Sequence, residues 1–217
     1  MTSESSTESR RAYHSPRLQE QRRQTRRAIL DAARSLFVER GYSGTSMAEL
    51  ATAATVSIKT VEAAFGTKAK VLAALWDVSV VGDDEVVSLA QRTWFEEMLN
   101  EPDPRRQLAL HARNARRIKH GIGALTEVVR RAAQSDPEIG ERWQLIQDQF
   151  LENQRMVAES LAAKGALRAD LDTADAVEII WTLNHPSVYY LVVFERGWSE
   201  ERYERWLADA FICQLLR

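Results

Sequence analysis

One cysteine, Cys213, is all that these 217 residues contain, so neither an intramolecular disulfide framework nor a Cys-rich zinc site can be built from them. It sits in an apolar run near the carboxy terminus, where a buried structural thiol is expected. Glycine and proline are scarce, nine and five, and no clear alternation of apolar and polar residues is present. Both facts argue against a β-sandwich or barrel. The four histidines are scattered without metal-ligand spacing. No uncharged apolar stretch reaches the roughly 18 residues of a membrane span. The opening residues, MTSESSTES, are polar and lack the apolar core of a secretory signal. A cytoplasmic protein is the expectation.

The composition, 45 % hydrophobic and 28 % charged, suffices for a real core in one large or two modest domains. Apolar residues recur at helical spacing almost throughout, so the fold class read from the sequence is all-α. Residues 1–17 are rich in Ser, Glu and Arg and are expected to form a disordered tail. A long helix follows from about Glu20 to Arg40, with Ile29, Ala32, Ala33, Leu36 and Phe37 as its stripe and Gly41 as a left-handed stop. After the segment 46–68, a helix is expected from Lys68 to Val81, broken by Gly82-Asp83-Asp84. Glu101-Pro102-Asp103-Pro104 marks another break. Residues 104–134 read as one or two helices, interrupted near Gly121-Ile122-Gly123. Asp136-Pro137-Glu138 supplies a cap, a first-turn proline and an acidic first turn for a helix running to Lys164 and stopped by Gly165. Thr173 to Arg196 and Ser199 to Leu216 complete the chain around Gly197.

Residues 46–68, SMAELATAATVSIKTVEAAFGTK, are the most informative. They read as two short helices joined by a tight turn. Ser46 and Glu49 have capping-box spacing, and Leu50, Ala51 and Ala54 give the first helix a small apolar face. Ser57 can cap the second helix, whose Val61 and Phe65 lie at i, i+4 and must face inward. Ile58, Lys59, Thr60, Glu62 and Ala63 are left on or near the outer surface. A short exposed helix pinned from behind can enter a DNA major groove. Charge points the same way. Residues 1–70 hold twelve Lys or Arg against seven Asp or Glu, whereas the remainder holds seventeen against twenty-four. Arg10, Arg11, Arg17, Arg22, Arg23, Arg26 and Arg27 form a basic lead-in.

The string RRAILDAARSLFVERGYSGTSMAELATAATVSIKTVEAAFGTKAKVLAAL resembles the amino-terminal domain of the TetR family of bacterial transcriptional regulators. The matching pieces are the Ala-rich helix ending in Phe37 and Gly41-Tyr42, then Thr45, Ala48 to Ala51, Val56-Ser57, Thr60-Val61, Phe65, Lys68 and Leu72. The run LNHPSVYYLVVFERGWSEERYERWLADA is similar to the closing segment of one branch of that family. The resemblance implies an all-α homodimer that binds a short palindromic operator and is usually a repressor released by a small ligand. Two positions depart from the family pattern: Glu62 stands where a tyrosine is usual, and Ala64 where a histidine or another polar group is frequent. The usual aromatic hydroxyl and its neighbour contact phosphates. Glu62 instead could accept from a cytosine N4 amino group or pair with Lys59.

Lys59, Thr60 and Ala63 are the expected base-edge neighbours. Thr45, Ser46 and Ser57 lie at helix N-termini, where they can hold phosphate, cap the helix, or do both. Lys68 is expected to make a non-specific phosphate contact.

The domains read as a helix-turn-helix DNA-binding domain over 18–67 and a ligand-binding and dimerisation domain over 68–217. The helix from Thr173 to Arg196 is apolar nearly all round, and the last helix continues the pattern. Val188, Tyr189, Val192, Tyr203, Trp206 and Ala210 are therefore the candidate dimer interface, in an intermolecular four-helix bundle. Trp94, His111, Trp143, Phe150, Trp181 and His185 are the candidate ligand-binding groups, with core packing as the alternative for each. Pro186 must bend or split its helix by removing the hydrogen bond to Thr182. An aromatic or largely apolar effector is favoured. No G-x-S-x-G, P-loop, H-E-x-x-H or dinucleotide fingerprint is present. Asp83-Asp84-Glu85 lacks the second Asp-rich helix of the all-helical isoprenoid enzymes. The sequence thus points to no enzyme, cofactor or metal, but to a regulator whose partners are duplex DNA, a second copy and a small molecule. The alternative is a helical ligand-binding or adaptor protein that has lost operator recognition.

Overall fold

The computed structural model describes residues 16–81 and 92–217. The expected tail up to residue 15, with Arg10 and Arg11, lies outside the described residues, as do Gly82-Asp83-Asp84 and Asp83-Asp84-Glu85. Among the described residues every regular element is helical, apart from one isolated antiparallel bridge between Leu167 and Leu216.

Helix α1 (Pro16–Arg40) begins about a turn before Glu20, so Pro16 and Arg17 belong to it rather than to a tail. Nothing there breaks a helix: proline is tolerated in a first turn, and Glu20 pairs forward with Arg23 and Gln24. Gly41, at φ 75°, ends α1. Helix α2 (Met47–Ala53) starts from the expected capping box. The Ser46 hydroxyl accepts the Glu49 N–H at 3.2 Å, and the Glu49 carboxylate accepts the Ser46 N–H at 2.8 Å. The chain then turns through Thr55, whose φ of 57° is left-handed although the residue is β-branched. Helix α3 (Ile58–Phe65) is capped by Ser57, and α4 (Lys68–Val81) follows Gly66.

The rest comprises α5 (Thr93–Asn100), α6 (Pro104–Ala132), α7 (Pro137–Ala163), α8 (Thr173–Leu183), α9 (Pro186–Tyr189) and α10 (Glu200–Leu215). Helix α6 is the axis, packing against α1, α4, α5, α7, α9 and α10. It is continuous, so the expected interruption at Gly121-Ile122-Gly123 is absent. These glycines serve close approach instead. A Cβ on Gly123 would stand 2.8 Å from Tyr189 Cε1, and one on Gly121 3.2 Å from the Ser79 carbonyl oxygen.

The helix expected from Thr173 to Arg196 is split. Asn184 and His185 close α8 through Ile180 and Thr182 carbonyls, and His185 Nδ1 accepts the Ser187 N–H to open α9. Helix α9 runs into a π-helical stretch, Tyr190–Glu195.

Two cores result. One gathers Ile29, Phe37, Leu50, Val61, Phe65, Leu72 and Trp76 from α1–α4 with Ile122, Leu125 and Val129 of α6 and Ile139 of α7. The other joins α5, the first half of α6, the second half of α7, α8, α9 and α10. Tyr189 and Tyr203, expected at a dimer interface, are fully buried in this second core with their rings edge-on at 4.9 Å. Tyr203 shares its face of α10 with Leu207, Phe211 and Leu215, all turned inward toward the core. Cys213 falls on the opposite face and is exposed, not buried as its apolar neighbours suggested.

Candidate nucleic-acid interface and ligand cavity

Helix α3 presents two contrasting faces. Val61 and Phe65 are buried, while Ile58, Lys59, Glu62 and Ala63 are exposed and Thr60 is half-buried. Ile58, 44 % exposed, is a large apolar side chain left in water at the helix start. Ser57 is a helix cap: its hydroxyl accepts the Thr60 N–H at 3.1 Å and lies 2.8 Å from the Thr60 hydroxyl. Ser46 is likewise bound within its capping box. Among the described residues no ion pair joins Lys59 to Glu62, so that pairing is not formed and the Glu62 carboxylate faces solvent.

Two expected phosphate contacts have other employment. Thr45 is buried, 2 % exposed, and its hydroxyl lies 3.0 Å from the Gly41 carbonyl and 3.3 Å from that of Leu36. It fastens the end of α1. Lys68 Nζ donates to the Tyr42 and Thr45 carbonyls, each at 2.8 Å, and stands 4.1 Å from the Tyr42 ring centre. Its ammonium stabilises the α1–α2 loop rather than reaching outward. Of the basic lead-in, Arg26 is anchored too. It donates to the Ala64 carbonyl at 2.6 Å and lies over the Phe65 ring, tying the end of α3 to α1.

A cavity of about 660 Å³ opens among α4, α5, α6, α7 and the α8–α9 junction. Trp94, His111, Trp143 and Phe150 line it, together with Trp76, Ile118, Ile122 and Ile146. Trp181 and His185 do not. Their rings lie tilted against each other at 4.7 Å and flank Phe150 at 6.4 and 6.0 Å, and His185 Nε2 faces Gln147 Oε1 at 3.3 Å. The break before Pro186 turns His185 into the α9 cap and aims Asn184, not His185, at the cavity.

The cavity has a polar end missed at the level of sequence. Lys119, 3 % exposed, donates to the Asn184 side-chain carbonyl and to the Tyr203 hydroxyl at 2.7 Å. Gln154 donates to the Phe150 carbonyl, which fixes its amide and leaves Oε1 to accept from Asn184 at 3.0 Å and from His111 Nε2 at 3.1 Å. Against Gln154 Oε1, His111 Nε2 is therefore the donor. Burial, then the nearby Lys119, pushes its pKa down to about 4. Burial alone holds Lys119 well below the ordinary ammonium range. A signal for Lys119 exists: it continues the buried Leu108, Ala112, Ala115 stripe of α6 at helical spacing.

Among the described residues no cluster of His, Cys, Asp and Glu could hold a metal, and no helix is long and apolar enough to cross a membrane. Residues 29–75 match the family described as bacterial regulatory proteins, tetR family. PfmR, a TetR family transcriptional regulator from Thermus thermophilus, superposes with a TM-score of 0.61 at 22 % identity, over 87 % of this chain and 99 % of its own. The transcriptional regulator FadR from Bacillus subtilis, in complex with stearoyl-CoA, gives 0.67 at 19 % identity, over 86 % and 97 %. NalD, the secondary repressor of the MexAB-OprM multidrug efflux pump in Pseudomonas aeruginosa, gives 0.66 at 21 %, over 91 % and 98 %. No curated protein matches the sequence. Residues 29–75 thus carry the amino-terminal helix-turn-helix domain of the tetR family of bacterial regulatory proteins, on a chain folded along its described length like solved members of that family.

Proposed function

We propose that this protein is a ligand-responsive repressor that binds a short palindromic operator as a homodimer. The observation that carries this reading is the seating of α3. Its outer face is open to solvent, while Val61 and Phe65 rest on a core that continues into α4, α6 and α7, the helices that wall the cavity. A ligand that shifts those helices changes the set of the reading head, a population shift between two geometries. FadR holding stearoyl-CoA and NalD being a repressor lend support. We assign the dimer contact to the outer surface of α8–α10. Leu191 and Phe194 are 50 % and 51 % exposed there, near the part-buried Val188, Val192, Trp206 and Ala210. Dimerisation would set two α3 helices about 34–36 Å apart, one turn of DNA.

Selection of operators from random duplex DNA with the purified protein tests the reading. A palindrome should be enriched, its affinity should fall log-linearly with salt, and sedimentation should give a dimer. Failure to enrich any sequence would instead favour a ligand-binding or adaptor protein without operator recognition, a reading that the solvent-facing carboxylate of Glu62 supports. Glu62→Ala separates the two roles of that carboxylate. Loss of discrimination at one C·G pair, worth about 1–3 kcal/mol, identifies base readout. Unchanged specificity excludes it.

A further inference from the structure

Among the described residues, Lys119 is the one buried cation of the cavity wall that lacks a counter-charge. The other charged pair there, Arg142 and Asp77, is matched internally. Glu200, beyond Tyr203, is occupied by Arg116, His120 and Tyr189. Lys119 Nζ has only neutral partners, Asn184 and Tyr203, which use two of its three N–H donors. A buried ammonium with neutral partners alone is costly, and an incoming anion removes that cost. The rest of the wall is mostly apolar, and Asn153 beside the polar end offers a further amide N–H.

We propose that the cavity selects an amphipathic carboxylic acid, its carboxylate against Lys119 Nζ and its aromatic or aliphatic body among Trp76, Ile118, Trp143 and Phe150. This rests on the cavity being the effector site, and it adds the chemical class of the effector. A cationic ligand would meet like charge at the polar end. A neutral one would leave the ammonium uncompensated. The volume, about 660 Å³, lies in the range of small-molecule sites, roughly 300–1,000 Å³, and accommodates a medium-chain or bicyclic acid.

Matched pairs test the proposal: decanoate against decanamide, and 2-naphthylacetate against 2-naphthylacetamide, each titrated by calorimetry and by quenching of the tryptophans in the wall. In the unsubstituted protein each acid should bind at least about tenfold more tightly than its amide, as a buried charge-assisted contact requires. Lys119→Met should remove that preference and leave amide affinity within about threefold. Equal affinities, or a preference for the amide, would overturn the acid assignment while leaving the cavity as an effector site. A Lys119→Met protein that keeps the acid preference would overturn it as well. If neither member of either pair binds, the cavity is not the effector site and both readings fall. The acid–amide comparison needs no variant, so it decides the matter even if Lys119→Met does not fold.

Discussion

The Tyr42 hydroxyl donates to the Asp136 carboxylate at 2.6 Å, linking the loop before α2 to the residue that caps α7. Asp136 uses its other oxygen to accept the Glu138 and Ile139 N–H groups. One carboxylate thus holds both the start of a cavity-lining helix and the loop that also receives Lys68. Burial, followed by the Asp136 hydrogen bond, raises the Tyr42 pKa, so the phenol stays protonated and continues to donate.

Tyr42→Phe removes this link and leaves the α7 cap intact. Stability should fall by about 1 kcal/mol, the worth of one hydrogen bond. Under the proposed repressor function, operator affinity without effector should change little, but the effector's leverage on it should shrink. Operator titrations with and without effector read this directly, and undiminished leverage would show that coupling runs elsewhere.

Thr55 should tolerate the opposite kind of change. A β-branched residue at φ 57° is strained by about 1–2 kcal/mol, and glycine is not. Thr55→Gly is expected to raise the urea midpoint, or at least not lower it, despite glycine's greater freedom in the unfolded chain. A clear loss of stability would mean that the Thr55 side chain has a role beyond the turn.

Gly121 and Gly123 should rank differently. Either Gly→Ala change gains about 1 kcal/mol of helix propensity. At Gly123 the new methyl collides with the Tyr189 and Phe194 rings, and overpacking of that kind costs about 1–3 kcal/mol. At Gly121 only the Ser79 carbonyl is near, at 3.2 Å. Urea unfolding should therefore place Gly123→Ala below Gly121→Ala. The reverse order would contradict the packing described for α6.

Acid should unfold the protein partly through His111. Its imidazole is neutral in the fold down to about pH 4, whereas in the unfolded chain it protonates near 6.5. Between those values the unfolded state binds the extra proton, so stability falls as pH drops from about 6.5 to 4, by roughly 3 kcal/mol in total. Lys119, also depressed, acts with the same sign at higher pH. The His111→Gln variant should lack the His111 portion. Parallel curves of unfolding free energy against pH for the two proteins would refute it.

Helix ends were legible because their causes are local. Ser46 with Glu49, Asp136 with Pro137, and Gly41 and Gly165 act within a few residues of themselves, and their helices begin or end where those residues imply. Thr45 and Lys68 misled because their partners are loop carbonyls brought near only by the fold. Gly121 and Gly123 look like breakers until α4 and α9 lie against them. Tyr189 and Tyr203 fit an apolar outer face equally well, and it is the fold that turns them inward, Tyr189 against Gly123 and Tyr203 over Lys119. Lys119 itself was readable as a lysine on an apolar stripe, but its lack of a counter-charge was not.

The core beneath the helix-turn-helix is borrowed in part from far along the chain, and this limits how that segment can be recombined. Residues 16–81 excised alone would bare the surface that Ile122, Leu125, Val129 and Ile139 now cover. Grafting this helix-turn-helix onto another domain would have to carry the α6–α7 corner with it. In this protein the exchangeable cassette is set by the borrowed side chains and not by the span of the motif.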